Sequence, residues 1–311
     1  MEVGVVGVRR GLRCIVHRAA ADWPDAYNPR GPAGPVPMAA RQAPPRLVCS
    51  MNALRHFLLA LQFFTRIPVA GRLAAWVGYS PAMLNASAGH FPGVGWVVGA
   101  AGAAVLWAAL PVWGAWVAAL LSTAATVWLT GAFHEDGLAD TADALGGQVS
   151  RERALEIMKD SRIGSYGTVA LLLALGLKLA LLASIAQRGA ALAAAALLAA
   201  HVLSRAAPLV VMRALPYVSD AAQAKSKPLA EAVSARGAWT GVLWSIPAVA
   251  LVWQAQDAMN FAVTGLLWCL ALAAMLRLLR RRLQGFTGDT LGATQQLCEL
   301  ALYLGLAARL P

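Results

Sequence analysis

Charged residues are scarce in this sequence. Asp, Glu, Lys and Arg make up only 13 % of its 311 residues, whereas 59 % are hydrophobic. Soluble domains contain about 25 % charged residues, so this chain has too few to cover a soluble surface in the usual way. The composition argues against an ordinary soluble domain and favours a helical protein that crosses the membrane several times.

Cysteine is also rare, and its positions form no motif. Cys14, Cys49, Cys269 and Cys298 are scattered without a C-x-x-C pair, which gives no support to a disulfide framework or a structural zinc site. The sequence HEDG at 134–137 likewise lacks the second histidine of the H-E-x-x-H zinc motif.

Acidic residues are the less frequent charge. The chain has 26 Lys and Arg against 15 Asp and Glu, a net charge of +11. In a soluble protein this excess would suggest a nucleic-acid partner. In a membrane protein, basic residues collect in cytoplasmic loops and near anionic lipid headgroups. We therefore expect a lipid bilayer as the partner, and no nucleic acid.

Apolar runs near the length that a helix needs to cross the hydrocarbon, about 20 residues, recur after residue 90. A shorter run at 56–70 is expected to lie in the interface or to re-enter the membrane. We predict an all-α, polytopic integral membrane protein with about seven transmembrane helices, at residues 91–110, 113–132, 168–187, 190–214, 239–256, 258–277 and 292–309.

The loops between these runs predict the orientation. The loops on one side of the predicted bundle are 133–167, 215–238 and 277–291, and they are rich in Lys and Arg. The loops on the opposite side contain a single basic residue, Arg188. The positive-inside rule places the basic side in the cytoplasm. Its Lys and Arg residues are Arg151, Arg153, Lys159, Arg162, Lys225, Lys227, Arg236, Arg277, Arg280, Arg281 and Arg282.

Residues 1–50 differ from the rest of the chain. They are rich in Arg, Pro and Gly and contain no apolar stretch that fits a signal peptide. A disordered basic tail and a transit peptide are both possible interpretations. We favour a third, in which 1–50 is a leader from a misplaced start and 51–311 is the membrane-embedded domain, because Met51 opens an amphipathic or membrane-entering segment.

The most unusual stretch is HEDGLADTADALGG at 134–147. Asp136, Asp140 and Asp143 recur at i, i+4 and i+7, with Glu135 beside them. A helix that starts near Gly137 would align the three aspartates in a stripe about 60° wide. Two carboxylates about 6 Å apart repel by roughly 3 kcal/mol at an effective dielectric near 20. A solvated acidic face could tolerate this repulsion, but a bound cation would remove it.

Two features favour the cation. Small Gly and Ala residues surround the carboxylates, so a ligand can approach, and seven of the fifteen acidic residues lie between 135 and 160. Mg²⁺ and Mn²⁺ prefer such oxygen ligands and keep positions for phosphate oxygens. The stretch KDSRIGSYG at 159–167 then places Lys159, Ser161 and Arg162 on a glycine-punctuated turn that could hold phosphate. Acids for a metal beside bases for phosphate are typical of phosphoryl transfer.

These segments resemble a known family. FHEDGLADTADALGG followed by RALEIMKDSRIGSYGTVALLL closely resembles the central signature of the cobalamin synthases, the adenosylcobinamide-GDP ribazoletransferases. FFTRIP at 63–68 and GDTLGATQQLCEL at 288–300 are similar to further family segments. The resemblance extends from about Met51 to the C-terminus.

The resemblance implies a late step of cobalamin biosynthesis. The ribose hydroxyl of α-ribazole, or of its 5′-phosphate, would attack the phosphoryl group of adenosylcobinamide-GDP, and GMP would leave. It also implies Mg²⁺ as cofactor and a place in the cell inner membrane, with the active site on the cytoplasmic side. The lower base and the oligomeric state stay open.

The resemblance also assigns residues. It implies Asp136, Asp140 and Asp143 as metal ligands and catalytic residues, with Glu135 as a ligand or base. It implies a substrate-binding set that comprises Arg66, Lys159, Asp160, Ser161, Arg162 and Asp289.

A cation-coupled membrane transporter is the alternative. Such a protein would also gather carboxylates, but near the bilayer midplane inside broken helices. Here the acids lie at the mouth of the predicted bundle. Apart from Arg277 and Arg309 at their ends, the predicted spans carry only four charged residues, Lys178, Arg205, Arg213 and Glu299. The sequence does not decide whether Lys178 faces lipid or the bundle interior.

We predict that residues 1–50 are dispensable. A chain that begins at Met51 should insert and retain activity, because nothing before Met51 resembles a packed element. The measurement is ribazoletransferase activity per amount of membrane-embedded protein. Loss of most activity at equal membrane abundance would contradict the prediction.

Overall fold

The computed structural model describes residues 45–218 and 232–309. Within them the chain forms α-helices, one 3-10 turn and no strand, so the predicted all-α fold class is confirmed for this part of the chain. The helices are α1 (Pro45–Phe64), α2 (Gly71–Val77), α3 (Pro81–Ser87), α4 (Phe91–Thr130), α5 (Phe133–Leu145), α6 (Arg151–Lys159), α7 (Ser165–Ala186), α8 (Ala190–Ser204), α9 (Ala207–Ala214), α10 (Ala235–Ala255), α11 (Ala258–Arg282) and α12 (Gly288–Ala307).

From Met51 onwards the described chain forms one compact unit. Most of the predicted leader, residues 1–44, lies outside the described residues, and α1 begins at Pro45. The domain division at Met51 stays a prediction.

Five segments are long and apolar enough to cross a membrane: Pro81–Thr130, Ser165–Ala186, Ala190–Ala214, Ala235–Ala255 and Ala258–Arg282. The chain is therefore a multi-pass helical membrane protein. The first segment has 50 residues, more than twice the length that one crossing needs. Its helix α4 is interrupted at Gly114, where φ is 75° and ψ is 177°. The Ser122 hydroxyl donates to the Gly102 carbonyl at 2.8 Å, so the two arms of α4 lie side by side.

Exposed tryptophans mark the lipid-facing surface. Trp107, Trp113 and Trp116 lie around the interruption at Gly114, and each is more than half exposed. Trp128 and Trp239 are exposed near the other ends of their helices, at 66 % and 68 %. Tryptophan is enriched where a bilayer meets water, so this distribution is typical of a membrane-embedded bundle.

Helix α12 lies at the centre of the bundle. It packs against α5, α7, α8, α9 and α11, and most of its residues are buried. It is absent from the five candidate spans because polar residues interrupt its apolar surface. The apolar pattern predicted a span at 292–309 in this region. The structure supports five candidate spanning segments, so the predicted number of about seven is not confirmed.

The polar residues of α12 have partners inside the bundle. The Lys178 ammonium of α7 lies 2.7 Å from the Glu299 carboxylate, and both side chains are at most 2 % exposed. Gln295 donates to Glu299 at 2.6 Å and to the Ser204 hydroxyl at 2.9 Å. Arg205 donates to the His201 carbonyl at 2.9 Å. Lys178 thus faces the bundle interior, which answers the question that the sequence left open.

This ion pair should matter to stability far more than an exposed one. Lys178→Met leaves Glu299 without its closest cation, and breaking a buried pair costs about 3–5 kcal/mol. We expect a clear loss of thermal stability in detergent, and a smaller loss in Lys178→Met/Glu299→Leu, which removes both charges. Arg153→Met, which breaks the exposed Arg153–Glu156 pair, is the control and should change little. Equal melting temperatures for Lys178→Met and the control would contradict this account.

Candidate active site

The acidic stripe lies on one continuous helix. Helix α5 begins at Phe133, four residues before the predicted start, after a turn in which Gly131 and Ala132 have positive φ values of 66° and 59°. Asp136, Asp140 and Asp143 therefore share one face at helical spacing. Glu135 and Asp136 lie in the first turn, where the helix dipole favours negative charge.

Two glycines bring a second acidic helix against this stripe. A methyl group on Gly137 of α5 would lie 2.7 Å from the Asp289 carbonyl oxygen and 3.2 Å from the Gly292 Cα atom of α12. Helix α12 begins just before Asp289 with a capping box, in which Thr287 and Thr290 exchange hydrogen bonds between side chain and backbone. Only glycine at 137 permits this backbone approach.

The approach joins Asp289 to the stripe. Burial, reinforced by the nearby Asp136 carboxylate, raises the pKa of Asp289 to about 6. The predicted site residues Asp136 and Asp289, 153 positions apart in the chain, thus form one acidic pair between α5 and α12. A divalent cation at this pair would relieve the repulsion.

Glu135, next to Asp136, contacts a different residue of α12. Its side chain is buried, and one oxygen, Oε1, accepts a hydrogen bond from Gln296 Nε2 of α12 at 3.0 Å. Its other oxygen, Oε2, is buried without a hydrogen-bond donor among the described residues. Burial raises the pKa of this carboxyl. Gln296 was missed by the sequence reasoning, because nothing local indicates a contact across 161 residues.

Asp143 links the stripe to the predicted phosphate turn. Its Oδ2 accepts from the Gly164 amide at 2.7 Å and its Oδ1 from the Gly167 amide at 2.8 Å. These amides belong to the N-terminus of α7, so Asp143 caps that helix from another part of the chain. A Cβ atom at either glycine would clash with the Asp143 carboxylate. This contact explains the two glycines of GSYG, and it brings the turn beside α5.

The basic residues of the turn are exposed. Arg162 donates to the Asp160 carboxylate at 2.7 Å, and its side chain is 86 % exposed. The hydrogen bonds from Arg162 lower the pKa of Asp160 to about 2. Lys159 ends α6, and Ser161 lies exposed in the turn. These residues form a polar surface that follows α6.

Arg66 reaches the neighbourhood by a different route. Its backbone amide donates to the Leu129 carbonyl at 2.8 Å, which ties the FFTRIP turn to the end of α4. Its guanidinium lies 5.8 Å from the centroid of the exposed Trp128 ring. His134 is buried and stacks on Phe64 with ring centroids 5.6 Å apart. Burial lowers the pKa of His134 well below its usual value.

The carboxylates fit a magnesium ion by their chemistry and number. No group of three or more His, Cys, Asp or Glu side chains is close enough to hold a metal within residues 45–218 and 232–309. Mg²⁺, however, commonly uses one or two carboxylates and takes its other ligands from water and substrate phosphates. The pair Asp136 and Asp289, with Asp140 one helical turn away, meets that requirement.

Two basic residues, Arg282 and Arg151, donate hydrogen bonds to backbone carbonyls at helix ends near the site. The sequence analysis used these residues only to predict the orientation of the chain in the membrane. Arg282 donates to the Leu145 carbonyl at 3.2 Å and to the Gly147 carbonyl at 2.7 Å, which caps the C-terminus of α5. Arg151 donates to the Leu283 carbonyl at 2.7 Å. The acidic helix is thereby anchored at the end opposite to Asp136.

Comparison with known proteins identifies the family. The family model described as cobalamin-5-phosphate synthase matches residues 56–307. The chain belongs to this family. The resemblance predicted from the sequence is thus confirmed, and family membership, with its role in cobalamin synthesis, argues against the transporter alternative.

Individual relatives support the same family assignment. An adenosylcobinamide-GDP ribazoletransferase of Albidiferax ferrireducens is 58 % identical over 83 % of this chain and 99 % of its own length. Relatives with the same name from Polaromonas naphthalenivorans and Vibrio cholerae are 57 % and 43 % identical, over 84 % and 82 % of this chain and 100 % and 94 % of their own lengths. No solved structure matches the chain.

The glycine contact gives a direct prediction. Gly137→Ala should force α5 and α12 apart, since the added methyl would meet backbone that cannot rotate away, and such overpacking costs about 1–3 kcal/mol. We expect a lower melting temperature and a loss of ribazoletransferase activity. Gly176→Ala on α7, where a Cβ atom meets nothing within 4 Å, is the matched control. Normal activity in Gly137→Ala would show that the contact does not position the acidic pair.

Proposed function

We propose that this chain is a Mg²⁺-dependent adenosylcobinamide-GDP ribazoletransferase whose site lies between α5, α12 and the turn at 159–167. The ribose hydroxyl of α-ribazole, or of its 5′-phosphate, attacks the phosphorus of adenosylcobinamide-GDP that carries the cobinamide. The bond from that phosphorus to the GMP oxygen breaks, and GMP leaves. The product is adenosylcobalamin or its 5′-phosphate.

The observation that carries this proposal is the convergence of Asp136 and Asp289. These carboxylates come from separate helices, and the Asp136 charge adds to burial in raising the pKa of Asp289; a bound cation would relieve the repulsion. Asp136 and Asp289 are the proposed metal ligands, and Asp140, one helical turn from Asp136, remains a predicted ligand. When bound, Mg²⁺ supplies a positive charge for the phosphate oxygens.

The other residues have supporting tasks in this proposal. Lys159, Ser161 and Arg162 hold the diphosphate or nucleotide from the exposed turn, with Asp160 orienting Arg162 through their ion pair. Arg66 would contact substrate from the FFTRIP turn, beside the end of α4. Asp143 remains a predicted metal ligand, but its two backbone hydrogen bonds support a role in fixing the turn beside the metal. Glu135 remains a predicted ligand or base, and its bond to Gln296 supports a role in holding α12.

The role of each carboxylate can be separated by substitution. Asp140→Asn keeps the volume but removes a ligand charge, so it should raise the Mg²⁺ concentration for half-maximal rate and lower kcat by on the order of 10²-fold. Asp143→Asn can accept through only one oxygen, so it should mainly lower thermal stability. Initial rates across a Mg²⁺ titration, with melting temperatures of both variants, test the assignment. A solvated acidic face predicts an unchanged Mg²⁺ response in Asp140→Asn.

Lys159 should act on substrate and not on metal. Lys159→Met is expected to raise the KM for adenosylcobinamide-GDP with little change in the Mg²⁺ requirement, because its proposed partner is phosphate. Arg153→Met on the same helix is the control, since Arg153 pairs with Glu156 on the exposed surface. If both variants bind substrate equally well, the phosphate site lies elsewhere.

We also propose that the site faces the cytoplasm and that the protein resides in the inner membrane. Single cysteines at position 150 and at position 281, in a chain without the four native cysteines, should react with impermeant reagents only from the cytoplasmic side. Ser150 and Arg281 are both exposed, so labelling is not limited by burial. Labelling from the periplasm at either position would refute the orientation.

A further inference from the structure

A long apolar groove lies on the membrane-facing side of the bundle, away from the stripe on α5. Residues of α8 to α12 line it, and it has a volume of about 610 Å³, within the range of about 300–1,000 Å³ for ligand pockets. On α10 the lining residues run from Ala238 to Val252 at spacings of three and four. At 1.5 Å per residue the groove follows that helix for about 21 Å.

The walls of the groove offer an occupant almost no hydrogen-bonding groups. The Ser245 hydroxyl donates to the Gly241 carbonyl of its own helix at 2.8 Å. The Thr264 hydroxyl donates to the Asn260 carbonyl at 2.8 Å. The indole N–H of Trp268 has no acceptor among the described residues, but it is buried within the wall and not open to an occupant. A polar occupant would lose its water without gaining partners, so the groove suits a hydrocarbon chain.

One end of the groove is charged. Arg213, at the end of α9, is the one ionisable residue in the described lining apart from the thiol of Cys269, and it is exposed. One of its guanidinium nitrogens, Nη1, donates to the Val233 carbonyl at 3.2 Å, and a guanidinium has further N–H groups for an anion. The exposed Trp239 lies beside Ala238, at the same end of α10. A cation and an interfacial aromatic at one end of an apolar channel are complementary to a phosphate headgroup and its acyl chain.

We propose that this groove is a binding site for one anionic phospholipid, with an acyl chain along α10 and the headgroup phosphate at Arg213. Helices α10 and α11 contact each other at few positions, and the lipid fills the space between them. The site is independent of the reaction proposed above, so its test does not depend on ribazoletransferase activity.

The test uses the full chain purified in mild detergent and native mass spectrometry. Phosphatidylglycerol and phosphatidylcholine with identical acyl chains are the probes. We expect one phospholipid retained per chain, with phosphatidylglycerol preferred. Arg213→Gln should lower that preference about fivefold, which corresponds to about 1 kcal/mol for one basic residue near a lipid headgroup. Arg72→Gln, at an exposed position on α2, should leave the preference unchanged.

A second pair of variants tests the acyl-chain channel. Gly265 lines the groove, and a Cβ atom there meets nothing within 4 Å, so Gly265→Leu fills the groove without a clash. It should lower retention of both phospholipids several-fold. Gly176→Leu is the control, because Gly176 is equally open and exposed but lies outside the groove. Equal retention in the two variants would mean only annular lipid and would overturn the proposal. So would a wild-type dimer that Gly265→Leu converts to monomer, since a second copy would then occupy the groove.

Discussion

The backbone contact between Gly137 and Gly292 is the constraint on which the acidic site depends. Both positions lack a side chain, so α5 and α12 approach until backbone atoms touch. Asp136 precedes one glycine and Asp289 lies three residues before the other, so the contact of the small residues determines where the carboxylates meet. In membrane bundles, small residues commonly allow this close packing. Here the same packing also builds the site.

Much of the fold could be predicted from the sequence. Apolar runs at 168–187 and 239–256 became helices at Ser165–Ala186 and Ala235–Ala255, because burial in lipid requires continuous helix over the whole apolar length. The sequence predicted the central helix α12 as an apolar membrane span, but a different property explains its burial. It is too polar to qualify as a span by composition, and the interior partners of Glu299 and Gln295 are what make its burial possible.

The acidic face of the candidate site could be predicted from the sequence, but the contacts between its residues could not. The i, i+4, i+7 pattern indicated the acidic face of α5, since that pattern is local. The hydrogen bonds of Asp143 to Gly164 and Gly167 were not predictable, because they depend on how the chain returns after α6. The bond from Gln296 to Glu135 depends on the docking of α12. A stretch of sequence reports the chemistry of its side chains, whereas their partners are decided by packing between distant segments.

Two acidic residues of α12, Glu299 and Asp289, have different electrostatic surroundings. Glu299 stabilises the position of the helix, whereas Asp289 belongs to the candidate site. Glu299 lies deep in the bundle beside Lys178 and is nearly inaccessible, so its charge is neutralised within the protein and gives α12 a fixed position. Asp289 lies in the first turn of the same helix, and the Asp136 carboxylate adds to burial in raising its pKa. A helix anchored by Glu299 can hold Asp289 against repulsion, since moving Asp289 away would require moving Glu299 from its cation. The buried ion pair thereby keeps Asp289 close to Asp136, and preorganised charge of this kind is what the proposed phosphoryl transfer would use.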